Sequence, residues 1–234
     1  MPDPRSGPDK DAELVQRMFD RVAPRYDLAN TLLSVGQDRH WRRVAAAAIG
    51  ARRGDLVLDV ASGTGMLARD LGASGAEVVA LDFSWNMLRA GADRGDPLLL
   101  WCNADGTRLP FADATFDAVT IAFGLRNLPD IAAGLAEMAR VTKPGCQILV
   151  LEFSTPVLAA FRILYHRYLL GCLPCAARLV TSDPAAYRYL AESIVAWPDQ
   201  RALASRIAAA GFQQVRWKNL TGGIVAAHHA RRSS

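Results

Sequence analysis

Residues 56–65 read LVLDVASGTG, a short apolar run leading into a glycine loop and then into the helix-forming Met66-Leu67-Ala68-Arg69. Gly63 and Gly65 carry no Cβ, so backbone N–H groups can approach a ligand closely there, and the helix start adds partial positive charge. A second apolar run ends at Leu81-Asp82, about one βα unit later, where a carboxylate can accept both hydroxyls of a ribose. The bare pattern G-x-G-x-x-A also fits a dinucleotide fold. Asp59 separates the two: a carboxylate just before the loop repels a pyrophosphate but suits a ligand carrying an ammonium and a sulfonium. The residues point to a cationic nucleoside cofactor, and S-adenosylmethionine is the obvious one.

Other chemistry is sparse. Cys172-Leu173-Pro174-Cys175 has CxxC spacing, but no second pair accompanies it and the stretch is hydrophobic, so incidental thiols are expected. His40, His166, His228 and His229 show no zinc spacing, no metal is expected, and the His228-His229 pair at the end of the last strand reads as surface or edge. No G-x-S-x-G nucleophile motif is present.

These residues need elements to position them. Residues 1–10, polar and proline-rich, read as a disordered N-terminus, and residues 11–234 as a single domain. Leu14, Met18, Phe19 and Val22 recur at helical spacing until Pro24 interrupts them, and a further helix over 39–49 ends at Gly50. Strands are expected at 55–60, 77–82, 97–102, 116–122 and 146–152, with helices at about 65–72, 84–91 and 131–140 between them. That alternation implies right-handed βαβ crossovers and a Rossmann-like, mostly parallel sheet. Residues 154–198 break the rhythm. They read as a helical cap, carrying Phe161, Ile163, Leu164, Tyr165, Tyr168, Leu169 and Leu170, then Tyr187, Tyr189 and Leu190, with plain helices packed on the sheet as the alternative. A last helix near 199–210 precedes strands at 213–219 and 223–229, joined by Thr221-Gly222-Gly223, which suits a hairpin turn.

Composition narrows the class. With 234 residues the chain is long enough for one large α/β domain. A net charge of +4 is mild and the basic residues are scattered, so a solvated surface is expected rather than a nucleic-acid patch. The N-terminus lacks the apolar core of a signal peptide, and no run of about 18 apolar residues appears. A cytoplasmic location is therefore expected.

Several segments together carry a resemblance: MFDRVAPRYDLANTLLSVGQDRHWRR (18–43), LDVASGTG (58–65), LPFADATFDAVTIAFGLRN (109–127), EMARVTKPG (137–145), YRYLAESI (187–194) and LTGGIVAAH (220–228). With these, the chain resembles the class I S-adenosylmethionine-dependent methyltransferases and, more narrowly, the menaquinone/ubiquinone C-methyltransferase family. LDVASGTG marks only the superfamily, whereas FGLRN, YRYLAESI and the N-terminal block are far more specific. The resemblance implies a seven-stranded class I methyltransferase sheet with an antiparallel strand from the C-terminal hairpin, N-terminal helices and a cap inserted before the last two strands. It places Gly63, Thr64 and Gly65 against the methionine part of the cofactor, Asp82 at the ribose, and Asp105 and Gly106 at the adenine. Ala122 falls at a cofactor-lining position that is often serine in relatives, so only its backbone can serve. Met66 and Cys146 also depart from the pattern, which usually has aspartate and glycine there.

The implied reaction methylates a ring carbon, converting demethylmenaquinol to menaquinol. A hydroquinone becomes nucleophilic at carbon when one phenol ionises, and a phenol has a pKa near 10, so the site must stabilise a phenolate and later remove the ring proton. Arg126 and Asn127 of FGLRN fall at the cofactor's methyl end and are the catalytic candidates. Arg126 as a literal general base conflicts with a guanidinium that stays protonated. Orienting a water and holding the phenolate is easier, as in an oxyanion hole, and a structural ion pair at the strand end is the alternative. Tyr26, Asp27, Asn30, Tyr187 and Tyr189 are second candidates for the acceptor pocket, with core packing as the equal alternative for each tyrosine.

The implied partner is a lipophilic quinol, which suggests peripheral contact with the inner face of the cell membrane; the apolar, basic-flanked stretch 162–178 is the candidate contact, with a buried cap as the equal alternative. Oligomeric state stays open, a homodimer included. Rivals are a benzoquinol or secondary-metabolite methyltransferase, an NAD-dependent dehydrogenase and a non-catalytic nucleotide-binding protein.

Overall fold

The computed structural model describes residues 12–23, 26–172 and 184–234. Seven strands form one sheet: β1 (Leu56–Val60), β2 (Glu77–Asp82), β3 (Leu99–Asn103), β4 (Phe116–Ala122), β5 (Thr142–Phe153), β6 (Phe212–Leu220) and β7 (Val225–Arg232). Their spatial order is β3-β2-β1-β4-β5-β7-β6. β1 to β5 pair in parallel, whereas β7 inserts antiparallel between β5 and β6. The expected strands are all present, and their boundaries move by at most a few residues.

β1 shows why the sheet is central. Val57 packs on one face with Trp41, Ala45, Leu67 and Leu71, while Leu58 and Val60 pack on the other with Leu135, Met138 and Leu203. A strand covered on both faces reads as a continuous apolar run, which is what LVL-V supplies. Asp59 is the exception and is 1% exposed. The covering helices include α3 (Gln37–Ile49), α4 (Met66–Gly72), α5 (Trp85–Ala92), α6 (Ile131–Val141) and α9 (Gln200–Ala209). α3 ends at Gly50, whose positive φ of 60° lets its N–H reach the Ala46 carbonyl, as expected from the sequence.

Strand order reverses direction between β1 and β4, so the loops after these strands part and leave a crevice at their carboxyl ends, the usual ligand position in an open α/β sheet. Two groups of helices cover that end. α1 (Ala12–Val22) and α2 (Tyr26–Leu33) lie over the cofactor side, and the expected break at Pro24 falls outside the described residues. α7 (Ala159–Arg167), its π-helical continuation Tyr168–Cys172 and α8 (Pro184–Val195) form the cap, where Tyr165, Leu169, Ala191 and Ile194 pack together. The Cys172–Cys175 spacing lies outside the residues described to their side chains, as do the side chains of Tyr26 and Tyr187.

One expectation is corrected. His228 is neither surface nor edge: it sits mid-strand in β7, between two other strands, and is 1% exposed. Its Nε2 lies 2.9 Å from the Gln200 carbonyl oxygen, and burial lowers its pKa. His229 turns to the Gln147 side chain at 2.7 Å. The local sequence does not reveal this, because only the strand order, with β5 and β6 on either side, makes β7 internal.

Candidate active site

The glycine loop leaves β1 through Ala61, held at φ 51°, and turns through Gly63 (φ 60°) and Gly65 (φ 77°) into α4. A non-glycine residue at positive φ is strained and survives only where its surroundings over-determine it. Here Gly124 packs so tightly that a Cβ on it would lie 2.4 Å from the Ala61 Cβ. Phe123, at the end of β4, is held at φ 58° and its N–H donates to Leu151 O at 2.8 Å. The two strand ends flanking the crevice are thus both bent away from regular geometry.

The crevice is lined by Asp59, Ser62, Gly63, Asp82, Asp105, Gly106, Ala122 and Asn127 among others. Asp82 accepts the Gly63 N–H at 2.8 Å on one oxygen and the Ser84 N–H at 2.8 Å on the other, so the end of β2 and the glycine loop are tied through one carboxylate. A carboxylate has about four acceptor sites, so capacity remains for a ribose hydroxyl beside these backbone donors. Asp59 accepts the hydroxyls of Ser62 (2.8 Å) and Thr120 (2.7 Å). Burial pushes both carboxyls up to about 6, opposed for Asp59 by those hydroxyls and for Asp82 by the backbone N–H groups. Asp105 folds into a turn, with its Oδ1 accepting from the Thr107 N–H and hydroxyl, each at 2.8 Å.

Seven of the nine residues expected at the site therefore line one of its two cavities. Thr64 and Gly65 line neither. Thr64 is buried and donates its hydroxyl to Asp27 in α2 at 2.7 Å, and Asp27 also pairs with Arg94 at 2.6 Å. Asp27, expected near the acceptor, instead clamps α2 to the glycine loop. Gly65 is needed for packing, since a Cβ there would fall 2.6 Å from Trp101 Cη2. α1 is tied down in the same way, through Ser84 Oγ to Asp20 at 2.5 Å and Gln16 Nε2 to Phe83 O at 3.1 Å. The resulting roof over the crevice was not foreseen, because amphipathic spacing says that α1 packs but not on what.

A second cavity of about 660 Å³ adjoins the crevice under the cap. Trp41, Phe123 and Phe153 form an aromatic cluster in its wall, with centroids 5.0 to 6.4 Å apart. Arg126, Tyr189 and Asn30 line it too. Arg126 is 4% exposed: its Nη1 donates to Glu152 Oε1 at 2.8 Å and Phe123 O at 2.6 Å, and its guanidinium sits 5.0 Å from the Phe153 ring. Asn127 accepts the Tyr189 hydroxyl at 2.8 Å. FGLRN thus spans both cavities, with Arg126 on one and Asn127 on the other.

Three residues line both cavities: Phe19, Arg42 and Phe123. Arg42 and Asp38 were missed in the sequence, although their i, i+4 spacing in GQDRHWRR marks a helical ion pair. Among the described residues lining the crevice, the charged side chains are Asp59, Asp82, Asp105 and Arg42. Three acids against one base suit a cationic nucleoside and repel a pyrophosphate. The cleft is also close-fitted at its glycines, where a Cβ on Gly63 would lie 3.1 Å from Met87 Cε. The described residues hold no cluster of metal-ligating side chains.

A family model described as the ubiE/COQ5 methyltransferase family matches residues 8–232. A demethylmenaquinone methyltransferase of Mycobacterium sp. (strain KMS) is 60% identical over 222 residues, covering 95% of each chain. Another, of Corynebacterium urealyticum, is 54% identical over 224 residues, covering 96% of each. Among solved structures, a chain of the complex between the Haloferax volcanii Trm112 methyltransferase activator and the putative methyltransferase shares the fold. It has a TM-score of 0.67 at 18% identity and covers 92% of this chain and 98% of that one. Matched over nearly its whole length, the chain belongs to the ubiE/COQ5 methyltransferase family.

Proposed function

We propose that the protein transfers a methyl group from S-adenosylmethionine to the ring carbon of demethylmenaquinol, giving menaquinol. One observation carries this reading: an acidic, glycine-lined crevice shares a wall with an aromatic cavity of about 660 Å³. When bound, the donor supplies an electrophilic methyl group on a sulfonium. Transfer then needs alignment more than covalent catalysis, and the shared wall at Phe19, Arg42 and Phe123 is where alignment is set.

Asp82 would accept the ribose hydroxyls, and Asp105 with the Gly106 backbone would hold the adenine edge. Asp59, Gly63 and the Ala122 backbone would face the charged methionine end. Thr64 and Gly65 act indirectly, by shaping the loop and anchoring α2. On the acceptor side, Trp41, Phe123 and Phe153 offer ring faces to a naphthoquinol. Arg126 is balanced by Glu152, so it positions one of the acceptor's two hydroxyls rather than removing a proton, and Asn127, on the cofactor side, holds the Tyr189 hydroxyl in the cavity wall.

The isoprenoid tail gives the cap a second task. Val35 and Leu164 line the cavity yet are 85% and 64% exposed, and Leu158, Ile163 and Leu170 are exposed nearby with Arg162 and Arg167. An apolar rim with basic neighbours supports peripheral contact with an anionic bilayer. No helix among the described residues is long and apolar enough to cross a membrane.

The test is direct. Pure protein is incubated with S-adenosylmethionine and short-tailed demethylmenaquinol under reducing conditions, and mass spectrometry looks for one added methyl. Absence of product, alongside turnover of a different acceptor, overturns the reading.

A further inference from the structure

Methylation at carbon leaves a proton that something must remove, and Arg126 cannot take it. A guanidinium stays protonated, and Glu152, its counter-ion, is fully buried and does not line the cavity. Among the described residues lining the acceptor cavity, Asp38 is the sole carboxylate and no histidine accompanies it. The neighbouring acids Asp59, Asp82 and Asp105 line only the cofactor crevice.

Asp38 is held in place. Its Oδ2 pairs with Arg42 Nη1 at 2.8 Å, and its Oδ1 accepts the Ser34 hydroxyl at 3.0 Å. Arg42 also donates to the Asp38 carbonyl at 3.2 Å and lies 5.2 Å from the centroid of the Phe123 ring. Of the three residues shared by the two cavities, Arg42 alone is charged. A cation thus stands at the junction where the acceptor ring must meet the methyl donor, with a carboxylate one helical turn from it on the acceptor side.

We propose that Asp38 is the proton acceptor of the reaction and that Arg42 holds the ionised hydroxyl of the acceptor. The inference rests on the methylation reading above. Once the ring carbon has gained its methyl group, it still carries its hydrogen and the ring has lost aromaticity. The C–H bond then breaks, its electron pair returns to the ring, and the oxygen held by Arg42 becomes a phenolate again. The proton goes to Asp38 and from there to solvent. Recovery of aromaticity makes that proton strongly acidic, so an ion-paired carboxylate is a sufficient base. Pairing with Arg42 and Ser34 also keeps Asp38 aimed, which a free surface aspartate would not be.

The same geometry must work in reverse with a proton in place of the methyl group, and this allows a test without the donor. Demethylmenaquinol is incubated with the protein in D2O, anaerobically and with no S-adenosylmethionine, and ring deuterium is read by mass spectrometry. Wild type should incorporate one deuterium. Asp38→Asn should slow both this exchange and kcat by roughly 100-fold or more, the usual range for a general base, with S-adenosylhomocysteine affinity unchanged. Exchange and turnover at wild-type rates in Asp38→Asn overturn the inference. So does a wild type that methylates the quinol but incorporates no deuterium, a result independent of how the variant folds. If wild type does not methylate the quinol at all, the activity reading and this inference fall together, whereas normal methylation with an indifferent Asp38 overturns the inference alone.

Discussion

Glu152→Gln removes the counter-ion of Arg126 while leaving its shape nearly intact. In the native protein, Glu152 Oε1 accepts from Arg126 Nη1 at 2.8 Å and from the Phe153 N–H at 2.9 Å, and Oε2 accepts from the Arg126 N–H at 3.3 Å. An amide can keep its oxygen on the first two donors, but its NH2 then faces the Arg126 N–H, donor against donor. The larger loss is electrostatic. Arg126 and Glu152 are 4% and 0% exposed, so the buried guanidinium would lose the carboxylate paired with it. Breaking such a pair from one side destabilises by about 3 to 5 kcal/mol. At about 2 to 4 °C per kcal/mol for a chain of this size, the melting temperature should fall by roughly 6 to 20 °C. The double variant Arg126→Met/Glu152→Leu removes both charges and should recover part of that stability, less the cost of the Arg126 and Phe153 N–H groups that lose their acceptor, yet methylate poorly because the acceptor has lost a positioning cation. Thermal melts and the demethylmenaquinol assay measure both quantities. A Glu152→Gln melting temperature within about 2 °C of wild type would refute the buried-pair argument, and full activity in the double variant would refute a role for Arg126 at the acceptor.

Two further outcomes follow from the cofactor crevice. The carboxyls of Asp59 and Asp82 are raised to about 6, above the unfolded value of about 3.9. The unliganded folded state therefore binds more protons than the unfolded state between these values. The contribution of these groups to stability is greatest below about pH 4 and is lost as pH rises through about 6. Binding a cationic ligand requires the ionised forms, so calorimetric affinity for S-adenosylmethionine should weaken as pH falls below about 6, and Asp82→Asn should flatten that dependence; an affinity independent of pH there would be the contrary result. Gly91→Ala reverses a familiar sign. Alanine normally stabilises a helix interior by about 1 kcal/mol over glycine, but here the new Cβ would lie 2.4 Å from Trp101 Cη2 and 2.7 Å from the Thr64 carbonyl oxygen. Denaturant melts should show a loss of stability, with weaker S-adenosylhomocysteine binding because the glycine loop is displaced.

Much of the cofactor side was legible because local rules produce it. LVLDVASGTG needs only a strand, a glycine turn and a helix start, and Asp82 needs only the next strand. Both sets of boundaries agree with the fold to within a residue or two. What the local pattern hid is direction. Thr64 belongs to the same motif as Gly63, yet its hydroxyl turns away to Asp27, a partner 37 residues distant in the chain. His228 was misplaced for a related reason, since strand order and not strand sequence makes β7 internal.

The acceptor side depended far more on tertiary structure. FGLRN identified Arg126 and Asn127, but whether Arg126 was a free cation or half of an ion pair depended on Glu152, which reaches it only because β4 and β5 are adjacent and parallel. The order of strands and helices, the glycine loop and the acids of a nucleoside crevice are written in local sequence, because short-range sterics and apolar spacing act within a few residues. That α1 roofs the crevice with α2 tied to its glycine loop, that the cap encloses an aromatic cavity beside it, and that Arg42 stands in the wall between them all depend on the folded chain. Contacts between segments far apart in the chain are made by packing, and packing leaves no mark on either segment alone.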